Sequence, residues 1–304
     1  MTDREQRRDE RPGVPSDLPD LVDPVMITAF EGWNDAGEAA SAALEHLELS
    51  WDAEPLGSID PEDYYDFQVT RPLVRMAQGV TRRVEWQTTR LSVAKLPGTG
   101  RHVVLVNGIE PNLRWRSFCG EILDYAEKLG VTKVINLGAM LTDVPHTRPT
   151  PVRGTAYDAA SAKQLGVEPS TYQGPTGIVG VLQSRCIEAG VPAWSFWAEV
   201  PHYVSQARVP KAAIALLLRV EEALDVEVPL GGLPEQAEEW ERTVNEMAEA
   251  DDEVREYVRQ LEQQATEDEE EQPVDLTETS GDEIAADFER YLRRRGSGGP
   301  GGGS

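Results

Sequence analysis

The strongest constraint on the fold is a repeated succession of short apolar runs and longer helical stretches. Residues 25–30, 103–109, 133–140 and 194–200 are apolar runs too short for helices. Residues 36–47, 115–129, 177–189 and 211–224 follow them in turn, with the alanine and leucine content or the spacing of helices. Runs of the first kind suit strands buried on both faces of a sheet. Their alternation with helices makes a doubly wound α/β sheet the default. A weaker strand at 56–59, and an antiparallel edge pair made of 82–86 and 91–96, make the expected sheet mixed, with five or six central strands.

The flanks read differently. Residues 1–20 are charged and punctuated by Pro12, Gly13, Pro15 and Pro19, so they bury little and are expected to be disordered. The α/β core then spans 21–231. Gly231-Gly232 breaks the chain and Pro234 restarts it in the first turn of a helix. Trp240, Val244 and Met247 form one stripe, and Val254, Tyr257, Val258 and Leu261 form another, which predicts a helical hairpin over 232–265. Residues 266–280, acidic and containing Pro273, read as a solvated linker. Ser280 and Glu283 have capping-box spacing and open a short amphipathic helix over 281–295, striped by Ile284, Phe288, Tyr291 and Leu292. Residues 296–304 are a flexible Gly/Ser tail.

The formal charge of the 304-residue chain is −25, and 233–304 holds 22 Asp and Glu against seven Arg and no Lys, −15 of that total. Such a balance repels nucleic-acid phosphates and anionic lipid surfaces and favours a protein partner with a basic surface. No apolar run has the length of a signal peptide or a membrane span, so no membrane contact and a cytoplasmic location are expected. Cys119 and Cys186 lie in helical patterns at a spacing that fits no metal or redox motif, and read as reduced structural thiols.

No glycine-rich dinucleotide or phosphate loop, zinc-protease helix, nucleophile elbow or paired C-x-x-C occurs, and neither a cofactor nor a metal is expected. Polar and aromatic residues gather instead just after the strands, where doubly wound sheets bind ligands. In Gly32-Trp33-Asn34-Asp35, Trp33 could wall a pocket, while Asn34 or Asp35 could simply cap the next helix. In the loop that holds Glu110, Asn112, Arg114 and Arg116, the arginines could bind an anion, or Arg114 could merely pair with Glu110. Asp143, His146 and Arg148 place an acid, an imidazole and a guanidinium within six residues. Thr176 and Gly177 open a helix whose N-terminus could meet an anion, and His202 follows the last strand. Asp60, Tyr64, Tyr65, Asp66 and Arg71 could form a lid or an interface. The candidate catalytic set is therefore His146, Asp143, His202 and Glu110, and the candidate ligand-binding set Trp33, Asn34, Asp35, Asn112, Arg114, Arg148, Thr176 and Gly177.

Six ordered motifs carry a family resemblance: residues 30–37 (Phe-Glu-Gly-Trp-Asn-Asp-Ala-Gly), 63–67, 108–112, 143–149, 174–177 and 200–203. Together they resemble actinobacterial members of the proteasome assembly chaperone 2 family over roughly 25–224. The resemblance implies a three-layer, phosphorylase/hydrolase-like mixed sheet flanked by helices, here with a C-terminal acidic helical extension. It also implies homo-oligomers, trimers among them, and a proteasome-related partner. Assembly chaperones among the relatives dock through a free C-terminal hydrophobic-Tyr-X tripeptide, whereas Arg290-Tyr291-Leu292 is internal here and Gly-Gly-Gly-Ser stands last. The reading is a non-enzymatic protein-interaction or complex-assembly factor. Its alternative is a small-molecule hydrolase, transferase or sensor taking an anionic or nucleoside-like ligand in the post-strand cleft.

Overall fold

The computed structural model describes residues 18–77, 81–156, 162, 172–204 and 208–271. The short amphipathic helix, the Gly/Ser tail and most of the N-terminal segment expected from the sequence lie outside these residues.

The expected mixed α/β architecture is present, built on a seven-stranded sheet of order β2-β5-β6-β1-β7-β9-β8. Its centre is parallel: β1 (Val25–Glu31) lies between β6 (His102–Ile109) and β7 (Lys133–Thr142), and β7 pairs with β9 (Ala193–Pro201). Antiparallel strands finish both edges. On one side β5 (Arg90–Lys95) joins β6 to β2 (Glu54–Ser58), and on the other β8 (Val152–Ala156) pairs with β9. The segment around 82–86 does not pair with 91–96 as expected. Instead β4 (Thr81–Glu85) folds back on β3 (Leu73–Ala77), three residues upstream, as a separate two-stranded sheet. Loop closure does not separate the two pairings, whose connections are both short; β5 instead has both of its edges taken, by β2 and by β6, and offers β4 none.

Period-two alternation divides the core. Val25, Ile27 and Ala29 of β1 face a cluster that contains α1 (Ala39–Ser50) and α4 (Pro210–Leu224); Met26 and Phe30 face another that contains α2 (Trp115–Leu129) and α3 (Ile178–Glu188). Each of these strand residues is fully buried, and each large side chain contributes roughly 1.5–3 kcal/mol by leaving water. Cys119 and Cys186 are free and buried in the second cluster, and burial pushes both thiols up to about 12, away from thiolate chemistry.

After Leu224 come α5 (Leu233–Ala250) and α6 (Asp252–Glu271). Leu233 and Trp240 of α5 pack on the first cluster, and Val244, Ala248, Val258 and Leu261 are buried along the helix pair. Helix α6 continues to Glu271, six residues into the segment read as a linker. The glutamates there are good helix formers, and the first proline comes only at Pro273, so nothing stops the helix at 265. Among the described residues no helix is long and apolar enough to cross a membrane.

Candidate functional site

The ends of β6, β1, β7 and β9 lie side by side, so the loops read from the sequence share one edge of the sheet. Their contacts divide them into two junctions.

The first centres on Glu110. Asn34 is fully buried and donates from Nδ2 to Glu110 Oε1 at 2.6 Å, and the Ile178 amide donates to the same oxygen at 2.8 Å. A carboxylate thus caps the first turn of α3, where exposed amides and the helix dipole favour negative charge. The approach is close: a Cβ on Gly177 would stand 2.2 Å from Asn34 Oδ1, so only glycine fits. Gly32, at φ +118, faces the Glu110 side chain. Asp35 takes the capping role considered for it. Its Oδ1 accepts from the amides of Ala40 (2.7 Å) and Ser41 (3.2 Å), and the Ser41 hydroxyl donates to Oδ2. Burial raises the Asp35 pKa above its ordinary 3.8, against the lowering effect of those hydrogen bonds.

Glu110 and Arg114 do not pair. Arg114, in the left-handed region at φ 55, reaches Asp63 at 2.5 Å instead. Asn112 Oδ1 accepts from the Asp66 amide (2.9 Å) and the Thr70 hydroxyl (3.2 Å), which ties down the 60–70 segment. Tyr64 and Tyr65 of that segment are buried, and the Tyr65 hydroxyl donates to the Ile109 carbonyl at 2.8 Å. They close the core over the end of β6 and leave no free lid at these two residues. Trp33 and Thr176 point outward, Trp33 with 66% of its surface exposed.

The second junction centres on His146, only 2% exposed. Tyr203 Oη accepts from the His146 amide and lies 2.8 Å from Nδ1; Asn245 Oδ1 lies 3.1 Å from Nε2. The Asn245 oxygen only accepts, so Nε2 carries a proton and donates to it, and in the neutral ring Nδ1 accepts the Tyr203 proton. Burial lowers its pKa below the ordinary 6.5; Lys211 lowers it too, while the Asn245 bond, Glu241 and Glu262 pull the other way. Lys211 Nζ bridges the His146 carbonyl (2.7 Å) and Glu241 (2.6 Å). Thr147 donates to Glu262 (2.6 Å) and Arg148 to Thr266 (2.8 Å). Outside this knot, His202 and Tyr257 both meet Asp143 Oδ1, at 3.1 and 3.0 Å.

His146 and Arg148 are thus brought together beneath α5 and α6, with Asp143 and His202 paired at the exposed margin of the same junction. Asn34, Glu110 and Gly177 are brought together at the other junction. The residues that sequence reasoning missed are the clamps: Lys211 on α4, Asn245 and Glu241 on α5, and Tyr257, Glu262 and Thr266 on α6. Among the described residues no group of three or more His, Cys, Asp or Glu is placed to hold a metal ion. An open groove of about 670 Å³ runs between the loop and α6, lined by Thr147, Arg148, Arg259, Glu262, Gln263 and Thr266 among others.

With this geometry in place, comparison with known proteins gives a family. A family profile described as the PAC2 family matches residues 29–248. A PAC2 family protein from Streptomyces avermitilis is 55% identical, with a TM-score of 0.74, over 78% of this chain and 100% of its own. A proteasome-assembly chaperone homologue from Mycobacterium tuberculosis is 57% identical, with a TM-score of 0.72, over 77% of this chain and 99% of its own. An archaeal homologue of proteasome-assembly chaperone from Pyrococcus furiosus shares the fold at 21% identity and a TM-score of 0.57, over 78% of this chain and 97% of its own. No curated protein matches.

Proposed function

We propose, for a chain that belongs to the PAC2 family, a non-enzymatic role in which its surface engages a protein complex during assembly. One observation carries this reading: polar groups of the post-strand loops are spent on internal junctions, and those around His146 lie under α5 and α6. The exposed surface of these two helices is rich in carboxylates, among them Glu238, Glu246, Glu249 and Glu253. A buried, neutral imidazole with both nitrogens engaged is a clamp, whereas proton transfer needs a ring in reach of substrate. The alternative, a hydrolase, transferase or sensor for an anionic or nucleoside-like ligand, is not favoured on this ground. In our reading Asp143, His146, His202 and Glu110 hold the platform together rather than react.

The partner in this proposal is a proteasome-related complex that offers a basic surface, met in the cytoplasm by a homo-oligomer of this chain. The names of the Mycobacterium tuberculosis and Pyrococcus furiosus relatives support that choice. Helices on both faces of the mixed sheet support placing the fold with the phosphorylase/hydrolase-like proteins, the acidic helices being an extension of it. The test is direct binding to a purified actinobacterial proteasome core particle, with the full chain and with a variant carrying Glu238→Gln, Glu246→Gln, Glu249→Gln and Glu253→Gln. The wild type should bind, and the variant should bind at least about tenfold more weakly at low salt, since charge pairs across an interface set its encounter and specificity. No binding by the wild type, or equal binding by the variant, overturns the proposal.

A further inference from the structure

The β3–β4 hairpin stands apart from the main sheet, on a base that is well held. Phe67 packs against the core and meets Trp86 in a tilted ring contact with centroids 4.6 Å apart, and Gln87 Nε2 donates to the Arg71 carbonyl at 2.7 Å. The register sets Leu73 against Glu85, Val74 against Val84, Arg75 against Arg83 and Met76 against Arg82. Alternation then puts Val74, Met76, Val84 and one arginine, Arg82, on one face, a face that Trp86 continues, and Leu73, Arg75, Arg83 and Glu85 on the other. The apolar face is open: Val74 is 61% exposed, Met76 59%, Val84 50% and Trp86 48%. A two-stranded ribbon left this way is marginal in water, and apolar side chains concentrated so densely mark a contact surface.

Charge selects what covers it. Residues 67–86 carry four Arg and one Glu, a net +3 in a chain of −25, which leaves −28 on the remainder. Arg71, Arg75, Arg82 and Arg83 are all exposed. A complementary surface needs apolar side chains set among carboxylates, and every copy of this chain supplies one. Leu113 (52% exposed), Trp33 (66%) and Leu141 (49%) sit at or just beyond the ends of the neighbouring strands β6, β1 and β7, with Glu31 and Asp143 exposed at the same edge. We infer that the β3–β4 hairpin of one copy docks on the strand-end edge of a second copy, its apolar face against Trp33, Leu113 and Leu141 and its arginines toward Glu31 and Asp143. The contact joins two different patches, so it is head-to-tail and builds a ring when the rotation closes. The exposed strand-end apolar side chains, which the intramolecular junctions leave uncovered, then become interface.

Sedimentation velocity of the full chain tests the assembly. The wild type is expected at a whole multiple, two or more, of its 33.5 kDa. The double variant Val74→Glu, Val84→Glu is expected to run as a 33.5 kDa monomer with unchanged near-ultraviolet circular dichroism. A second measurement does not depend on that variant. Chains bearing Trp33→Cys alone and Met76→Cys alone are oxidised separately and as a mixture; the native thiols, both buried, do not compete. A disulfide-linked dimer appearing only in the mixture supports the head-to-tail contact. A dimer from Met76→Cys alone would mean that hairpin pairs with hairpin. A wild-type monomer at about 100 µM, a concentration that populates even weak self-association, would leave the hairpin to an acidic protein of another kind. Either result overturns the inference.

Discussion

The Glu110 junction and the His146 junction occupy equivalent places, just beyond the ends of parallel strands, yet they are built on opposite principles. The first joins pieces of the core itself, a loop after β1, a loop after β6 and the start of α3, through a carboxylate that answers the charge of a helix N-terminus. The second joins the core to helices that arrive late in the chain, through a neutral imidazole held between a tyrosine and an asparagine. Position on the sheet therefore does not decide what a post-strand loop does. What decides it is whether later chain segments come back to cover the loop.

That comparison is broken most severely by removing Glu110. Glu110→Ala leaves the Asn34 amide and the Ile178 N–H without their acceptor and uncaps α3, for a loss of about 3 kcal/mol from the two unsatisfied donors and the cap. Because the junction belongs to the core, the loss should show as a lower urea midpoint for the whole α/β unit with an unchanged slope. A midpoint shift worth less than about 0.5 kcal/mol would demote the junction to a surface contact.

His146→Ala should act differently in kind. It removes the ring bonds to Tyr203 and Asn245 and leaves a small void under α5, at about 2 kcal/mol. The burden falls on the attachment of α5 and α6, so trypsin should cut at Arg255 or Arg259 several times faster while the core strands keep their amide-exchange protection. Equal loosening of core and helices would erase the distinction between the two junctions.

How far these junctions could be read from sequence follows their range. The four central parallel strands declare themselves as apolar runs because both of their faces are buried. β8 does not, since Val152, Arg153, Gly154 and Thr155 look like loop, and only the pairing with β9 makes them a strand. Likewise the alternation of 82–86 announced a strand but not its partner, and residues 73–77, interrupted by Arg75, do not declare themselves as the strand that pairs with it. Asp35 was legible as a cap because its partners lie five and six residues away. The setting of His146 was not. Tyr203 lies 57 residues on and Asn245 99, and nothing in a loop of Asp, Pro, His and Arg says whether a helix will close over it.

The smallest effect expected is also the most specific, because it depends on the sign of one titration. Burial holds the folded His146 pKa below 6.5, whereas in the unfolded chain the ring titrates near that ordinary value. As pH falls below about 6.5, the unfolded or detached state takes up a proton that the clamped ring resists, so attachment of the helices weakens from there down to the depressed folded value. Lys211 opposes protonation of the clamped ring and Glu241 and Glu262 favour it, but burial is the largest influence. Buried Asp35 has the opposite sign: its pKa is raised from 3.8, so it contributes stability as pH drops toward the carboxylate range. Asp35 caps α1 rather than any part of α5, so exchange read along α5 between about pH 6.5 and 5.5 follows the imidazole. Amide exchange along α5, corrected for the intrinsic pH dependence of exchange, should speed up across that window in the wild type. In His146→Gln, which keeps hydrogen-bonding capacity at the position but cannot titrate, the corrected rates should stay flat. A wild-type profile as flat as the variant's would mean that the helices are held by their apolar contacts alone, with His146 a passenger in the junction.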